Sequence, residues 1–466
     1  MKRMDLFKKN VLVVGLGMTG VATARFLKNM GAVVTVTDMA KEDELGDSVA
    51  IIRGLDINME LGSHENSTFE NADLIVLSPG VPHAIPQIQR AKDKGINVIG
   101  EIELASKFID QPVIAITGTN GKTTTTTLLG EMLKSSGFNV FVGGNIGSPL
   151  IGYVDRKEKA EIIILELSSF QLDTIESFKP KVSVLLNITK DHLDRYPDFN
   201  AYVKSKCRIF KNQNSGDTVV LNGFDPLIRK CTENINSRKL FFTARKKNEE
   251  GTTLNGKNIK FFFESSYKTR SPMTIDLSST SIKGKHNIEN ACAACLAALS
   301  AGGTLEGIQT ALDNFKGLPH RLEFVASVND VKYFNDSKAT NVDAVIRGLE
   351  CFSGRVILIM GGRNKGADFD SLRDTVRHIT KKIIAIGEAK ENIISSFDDV
   401  VPVNTASTMK DAVFAACDAA KPGDVVLLSP ACSSFDMYDD YTHRGKVYCE
   451  AVALLEKGGE KACDRR

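Results

Sequence analysis

The sequence predicts three consecutive α/β modules, each built on an open, mainly parallel sheet. Three observations carry this expectation. Short apolar strands alternate with helical segments along most of the 466 residues. Several strands run straight into glycine-rich or polar loops, where ligands collect in parallel sheets. Two of those loops, Gly15 to Gly20 and Gly118 to Thr123, have the composition of an anion cradle. The length suffices for two to four domains with separate cores, and no tandem repeat argues for a solenoid.

Bulk composition narrows the function classes. With 42% hydrophobic and 25% charged residues the chain reads as an ordinary globular protein. Lys and Arg number 59 against 57 Asp and Glu, a net charge of +2, so no broad basic face for nucleic acid is implied and an anionic substrate has to be bound locally. No stretch approaches 18 apolar residues, and the start, MKRMDLFKKN, lacks the apolar core of a leader; the expectation is a cytoplasmic protein with no membrane insertion. Nine scattered cysteines read as reduced thiols. Cys292 and Cys295 form a C-x-x-C without a second pair at zinc spacing, so they read as small apolar residues on an Ala-rich packed helix.

In order, NVLVVGLGMTG is a strand followed by Gly15-x-Gly17-x-x-Gly20, and VATARFLKNMG is a helix closed by Gly31. The next strand, AVVTVTD, ends in Asp38, placed for a ribose hydroxyl. This Rossmann-like fingerprint supports a nucleotide diphosphate more firmly than NAD. Further strands are ADLIVLSPGVP, ending at Ser78-Pro79-Gly80, and NVIG. The second module opens on PVIAITGTNGKTTTTT, a buried strand and a phosphate loop of the shortened form G-x-x-G-K-T, with Ile116 where the longer pattern needs glycine. Lys122 supplies a cation for the β- and γ-phosphates and Thr123 a hydroxyl for Mg²⁺. The strand IIILELSSFQL carries Glu166 near its end, and KVSVLLNIT leads to Asp191-His192. Lys122, Glu166 and His192 thus all fall at strand ends, as if serving one Mg-nucleotide. In NAYVKSKCRIF, Lys204, Lys206 and Arg208 read by composition as a solvated basic face. Residues 216 to 285 look β-rich. After Gly317 and Pro319 break the periodicity, VKYFNDSK, RVILIMGGRNKG, KKIIAIGE and DVVLLSPACSSFD read as strands of a third nucleotide-binding-like module.

Taken together, ITGTNGKTT, GGNIG, LELSSFQL, NITKDHLDRY, AYVKSK, KHNIENA, GLPHRLE, NDSKATN, MGGRNKG and SPACSSFD resemble, in this order and over the whole chain, the Mur ligase family. These are ATP-dependent enzymes that add amino acids to the peptidoglycan precursor. The last four motifs are most similar to the members that add D-glutamate. Folylpolyglutamate synthetases share the ATP module but resemble neither GLGMTG nor SPACSSFD. The resemblance implies an N-terminal Rossmann-like domain for the UDP-substrate (1–110), a central P-loop ATPase-like parallel sheet with a β-rich portion (111–317) and a C-terminal Rossmann-like domain for the amino acid (318–466).

Carried residue by residue, the resemblance implies that Met18, Thr19, Asp38, Ser78, Pro79, Gly80 and Asn145 contact UDP-N-acetylmuramoyl-L-alanine. Gly118, Thr119, Asn120, Gly121, Lys122, Thr123 and Thr124 would bind ATP, with Asn287, Asn290, His320, Arg321 and Asp336. Lys338, Thr340, Lys365, Ser434, Phe435 and Tyr441 would surround D-glutamate. Thr123, Glu166, His192 and Lys206 would hold two Mg²⁺ ions, or Mn²⁺, with Lys206 converted by CO₂ into a carbamate. Lys122, Glu166, His192 and Lys206 are therefore the catalytic candidates, in a monomer. Where the family carries a Thr-Arg pair after the acid, this chain has Met39-Ala40. The alternatives are a family member specific for another amino acid, an NAD-dependent oxidoreductase built on the first fingerprint, and a nucleotide-sensing module without turnover.

Overall fold

The computed structural model describes residues 4–156, 159–243, 249–262, 273–280, 282, 284–364 and 366–462. Three sheets follow one another along the chain. The first holds β1 (Asn10–Val14), β2 (Val33–Asp38), β3 (Asn58–Leu61), β4 (Leu74–Leu77) and β5 (Asn97–Gly100) in the order β3-β2-β1-β4-β5. All its pairings are parallel. Helices therefore cover both faces, and β1 and β4 read as near-continuous apolar runs because both of their faces are buried. Leu12, Val14, Ile75 and Leu77 pack with Phe69, Ile88 and Ala91 on one of those faces.

The second sheet comprises β6 (Val113–Thr117), β7 (Val140–Gly144), β8 (Ile162–Glu166), β9 (Val182–Leu185), β10 (Thr218–Asn222), β11 (Arg238–Phe242), β12 (Gly251–Asn255), β13 (Asn258–Phe262) and β14 (Thr274–Asp276). Its order is β14-β13-β12-β11-β10-β9-β6-β8-β7. The β-rich stretch expected from the sequence is thus an extension of the ATPase-like sheet, parallel through β12 and antiparallel from there to β14. Cys292 and Cys295 are fully buried in the helix Lys285–Ser300, as the Ala-rich pattern suggests.

The third sheet holds β15 (Glu323–Val328), β16 (Val331–Asn335), β17 (Val356–Gly361), β18 (Thr380–Ile386), β19 (Val403–Thr405) and β20 (Val425–Leu428), ordered β15-β16-β20-β17-β18-β19. Alternate residues of β17 enter two cores. Ile357 and Ile359 meet the helix Met409–Ala419, and Val356, Leu358 and Met360 meet the helices Val342–Leu349 and Lys390–Phe397. The chain forms two compact units: residues 1–188, 198–279 and 289–314 in one, and 189–197, 280–288 and 315–466 in the other. The first two sheets share the first unit.

A short helix, Glu101–Ser106, links those two sheets with two buried carboxylates in opposite electrostatic situations. Glu103 accepts from the backbone N–H groups of Glu176, Ser177 and Phe178 at 2.9–3.0 Å. It also pairs with Lys107 at 2.7 Å. Burial opposes ionisation, but the Lys107, Ser177 and backbone donors together outweigh it and hold the carboxyl down at about 2. Glu101 has less help. Its Oε1 accepts from Ile151 N at 2.6 Å, while Oε2 has no partner among the described residues. Burial pushes it up to about 7 from an ordinary 4.5.

The two groups predict opposite pH effects. Glu103 binds protons more weakly folded than unfolded, so its contribution is full above pH 4.5 and is lost as the pH falls towards 2. Glu103→Gln should cost about 2–3 kcal/mol at pH 7 and flatten that acid limb. Glu101 binds protons more tightly folded, so its contribution is full below pH 4.5 and is lost as the pH rises through 7. Glu101→Gln should remove that slope and make the protein more stable than wild type at pH 8. Denaturant unfolding across pH measures both, and parallel curves for either variant and wild type would contradict the assignment.

Candidate active site

The candidate residues of the first unit gather at the carboxyl ends of β6, β8 and β9. These strands are neighbours, with Ile116 opposite Glu166 and Thr117 opposite Leu185. After β6 the chain turns through Gly118 (φ +157°) and Gly121 (φ +85°) into the helix Lys122–Ser135. The left-handed φ of Gly121 disfavours a side chain, and a Cβ there would lie 2.3 Å from Asn290 Oδ1, so the Asn290 amide would have to move. Asn290 is thereby packed on the loop. Thr124 is buried in the first turn of that helix.

Two lysines converge on one oxygen of this loop. Lys122 Nζ donates to the Gly118 carbonyl at 3.0 Å and to that of Thr119 at 2.8 Å. Lys206 Nζ, from the helix Phe199–Cys207, donates to the same Gly118 carbonyl at 2.8 Å. Lys206 is 2% exposed and lies 4.7 Å from the centre of the Tyr202 ring. The solvated basic face read from composition is therefore corrected. Lys204 is exposed, but Lys206 is buried, and Arg208 is half-buried with Nε donating to the Leu172 carbonyl at 2.7 Å. Two ammonium groups this close repel by on the order of 3 kcal/mol at a separation of about 5 Å and an effective dielectric constant of about 20.

Glu166, at the end of β8, is 2% exposed. Its Oε1 accepts from Asn145 Nδ2 at 2.8 Å, and its Oε2 has no hydrogen-bond partner among the described residues. Asn145, expected at the substrate, is thus also the group that orients Glu166, and its own backbone N–H is tied to the Glu166 carbonyl at 2.8 Å. A buried carboxylate oxygen without a donor suits a hard cation, and with the Thr123 hydroxyl at the start of the phosphate-loop helix it is the donor set expected for Mg²⁺. Among the described residues no group of three or more His, Cys, Asp or Glu forms a metal cluster.

One residue of this edge was not singled out from the sequence. Asn187, just after β9, accepts from Asn120 N at 2.8 Å, donates to the Asn120 carbonyl at 3.0 Å, and accepts at its own carbonyl from Thr119 N at 2.9 Å. It sits inside NITKDH, five residues before the histidine that drew attention. Tyr202 adds a contact of 3.1 Å between its hydroxyl and that of Thr119.

At the first sheet the fingerprint glycines behave as expected. Gly15 has φ +93°, and a Cβ on Gly20 would lie 1.9 Å from the Gly15 carbonyl oxygen. The helix Met18–Asn29 starts at Gly17. Asp38 accepts from Leu16 N at 2.6 Å and Ala40 N at 2.9 Å, so it shapes the loop, and its remaining lone pairs stay available to a ligand. Ser78 Oγ donates to the Gly15 carbonyl at 2.8 Å, ahead of the Pro79-Gly80 turn. Met18 is 71% exposed and Thr19 half-buried.

The second unit gathers another set. His192, with φ +54°, lies in the 189–197 segment, where Asp191 accepts from Asn341 Nδ2 at 3.2 Å. The structure groups His192 with these residues. Asn287 and Arg321 belong to the same unit. His320 Nδ1 lies 2.8 Å from Asn335 Nδ2, and burial lowers the pKa of its ring. Asp336 accepts from Ser429 Oγ at 2.9 Å and Leu322 N at 3.2 Å, yet burial pushes it up to about 7. Lys338 Nζ stands 3.6 Å from the centre of the Tyr441 ring, and Thr340 N donates to the Lys338 carbonyl at 2.9 Å. Ser434 is buried and Phe435 exposed; Lys365 lies outside the described residues. Sequence reasoning passed over Arg444. This buried guanidinium donates to Ser337 Oγ and to the carbonyls of Ser337 and Cys432 at 2.8–3.1 Å, joining the loops after β16 and β20. Burial lowers it to about 10.

A glycine loop between strand and helix, two convergent lysines and a buried unsaturated carboxylate define an enzyme that works on a nucleoside triphosphate. The chain belongs to the Mur ligase family. Family models match over residues 9–100 (Mur ligase MurD-like, N-terminal domain), 116–298 (Mur ligase middle domain) and 320–432 (Mur ligase, glutamate ligase domain). The chain is 52% identical to the UDP-N-acetylmuramoylalanine--D-glutamate ligase of Desulfosudis oleivorans, covering 98% of this chain and 99% of that one. It is 48% identical to the protein of the same name from Geotalea daltonii, again over 98% and 99%. Among solved structures, the MurF ligase of Thermotoga maritima in complex with ADP superposes with a TM-score of 0.59 at 18% identity, covering 98% of this chain and 100% of that one. At that identity the likeness shows the fold.

Asn187→Ala removes the side-chain pair that holds Asn120. With about 1 kcal/mol for each of the two neutral hydrogen bonds, kcat/KM for ATP should fall roughly thirtyfold with the fold intact. Unchanged steady-state kinetics would show that the loop holds its shape without Asn187.

Proposed function

We propose that this protein joins D-glutamate to UDP-N-acetylmuramoyl-L-alanine with hydrolysis of ATP to ADP and phosphate, as a cytoplasmic monomer in peptidoglycan precursor synthesis. The phosphoryl-transfer part rests on one observation above all: Lys122 and Lys206 meet at the Gly118 carbonyl, on the strand edge that also carries the unpartnered Glu166 oxygen. The amino acid is argued from the names and near full-length similarity of the relatives. No helix among the described residues is long and apolar enough to cross a membrane. We take 1–110, 111–317 and 318–466 as the three domains.

The substrate carboxylate attacks the γ-phosphorus in line, and the amine then displaces phosphate from the acyl phosphate. The phosphate loop binds the β- and γ-phosphates through its backbone N–H groups, and Lys122 exchanges its two loop carbonyls for phosphate oxygens. Asn187 keeps the loop in register with the end of β9, and Asn290 packs against Gly121. Thr123 and Glu166 would hold Mg²⁺, joined by Lys206 as its carbamate; the ions supply charge neutralisation on the transferring phosphoryl group and the leaving ADP. Asn145 keeps Glu166 aimed. Carbamylation replaces a buried ammonium by an anion and removes its repulsion with Lys122. In the second unit, the Lys338 ammonium, which lies above the Tyr441 ring, would pair with a carboxylate of D-glutamate.

Phosphate release should require ATP, UDP-N-acetylmuramoyl-L-alanine and D-glutamate together, and L-glutamate or D-alanine should not replace the last. Lys206→Ala should lose at least a hundredfold in kcat and recover partly with added short carboxylates. Release with another amino acid would redirect the specificity, and an unaffected Lys206→Ala enzyme would return this lysine to a packing role.

A further inference from the structure

The helix Glu101–Ser106 follows β5 of the first sheet without a loop, and both of its carboxylates reach the second module. Glu103 ties down the backbone at 176–178. Glu101 ends at a different place: its Oε1 accepts from Ile151 N at 2.6 Å, in the first turn of the helix Leu150–Val154. That helix closes the loop that leaves β7 at Gly144 and carries Asn145. The N–H of Ile151 is one of those that a helix start leaves without an intrahelical partner, and only a side chain with an acceptor can satisfy it there. A buried carboxyl with one open oxygen is a costly way to pack two helices, which an apolar residue would do better. What an apolar residue would not supply is the acceptor for Ile151.

The loop between Gly144 and Ile151 has little freedom. Gly144 N donates to the Ser148 carbonyl at 3.0 Å, which folds the loop back on itself. A Cβ on Gly144 would lie 2.5 Å from the Glu166 carbonyl oxygen, so the loop is pressed against the end of β8. Leu150 and Ile151 are fully buried at the other end. Asn145 itself is exposed, so packing does not orient its amide; the path of the backbone does. That amide is the group that donates to Glu166 Oε1 at 2.8 Å and leaves Oε2 open. One end of the loop therefore aims the Glu166 carboxylate, and the other end hangs from Glu101.

We propose that Glu101 is a positioning residue for the Mg-nucleotide: through Ile151 and the loop after β7 it places Asn145, and through Asn145 it keeps the Glu166 carboxylate in the orientation that presents Oε2 to Mg²⁺. A helix that begins at the end of the first sheet thus sets the geometry of a metal ligand on the second. This inference rests on the reading of Glu166 as a Mg²⁺ ligand.

Amide exchange of the metal-free, full-length protein and calorimetric titration with a non-hydrolysable ATP analogue at several Mg²⁺ concentrations test it. Glu101→Met keeps the length of the side chain and removes the carboxylate, and Glu101→Asp keeps the carboxylate and shortens its reach. In both, the amides of 144–151 should exchange faster, and the Mg²⁺ concentration needed for half-maximal affinity should rise about three- to tenfold. Glu101→Asp carries the test where thermal unfolding shows Glu101→Met to be unstable. Glu101→Gln, whose amide oxygen still accepts from Ile151 N, should recover most of both effects. Asn145→Ala should raise the Mg²⁺ requirement as well, and adding Glu101→Asp to it should raise it little further, because both act through one contact. A Glu166→Gln protein with the wild-type Mg²⁺ requirement would overturn the reading of Glu166 and this inference with it. A raised requirement in Glu166→Gln, with the wild-type requirement in Glu101→Met and Glu101→Asp, would overturn this inference alone, whether or not 144–151 exchanges faster. Independent, fully additive effects of Glu101→Asp and Asn145→Ala would overturn it too.

Discussion

The carbonyl oxygen of Gly118 accepts hydrogen bonds from two lysines, one at the start of the helix that follows the loop and one from a helix 88 residues further on. That contact imposes the main constraint on the first unit. Two buried or half-buried cations at one oxygen are tolerable only with negative charge close by, and the strand edge supplies it in two forms: the open Glu166 oxygen, and the phosphates for which the loop is shaped. Lys122 has somewhere to go when a nucleotide arrives. Lys206, walled in by Tyr202 and 2% exposed, does not, so a change in its chemistry relieves the site more effectively than a change in its position.

The scaffold holds this edge still through polar contacts that cross between elements. Asn187 fastens the loop to the end of β9, Asn145 fastens Glu166 to the loop after β7, and Glu103 fastens the linking helix to the backbone at 176–178. Each is a buried or half-buried group whose donors and acceptors are taken up from a distant stretch of chain, so each specifies one arrangement of neighbouring strand ends. In the second unit, Arg444 does the same for two loops around Ser337, donating to the Ser337 hydroxyl and to the carbonyls of Ser337 and Cys432.

The parts of this molecule that were legible in the sequence are those where burial leaves a period or a special backbone leaves a glycine. β1, β4, β6, β8 and β17 are apolar runs because both of their faces are covered, and Gly15, Gly20, Gly118 and Gly121 mark close approaches. Short edge strands left no such trace: β3 is NMEL, β19 has three residues, and β15 alternates weakly at the sheet margin. In the site, Lys122 and Glu166 followed from strand-end position. Lys206 did not, since a lysine on an amphipathic helix looks the same whether it faces water or a carbonyl, and only the family resemblance marked it. Asn187 was passed over because an asparagine after a strand is ordinary until its partners are known.

The account turns on the state of Lys206, and carbon-13 NMR of the protein equilibrated with labelled bicarbonate reports that state directly. A carbamate resonance present in wild type, absent from Lys206→Ala and strengthened by Mg²⁺ with nucleotide is the predicted result. A wild-type spectrum without that resonance, or one that persists unchanged in Lys206→Ala, would contradict it and leave two lysine cations at the Gly118 carbonyl to be explained another way.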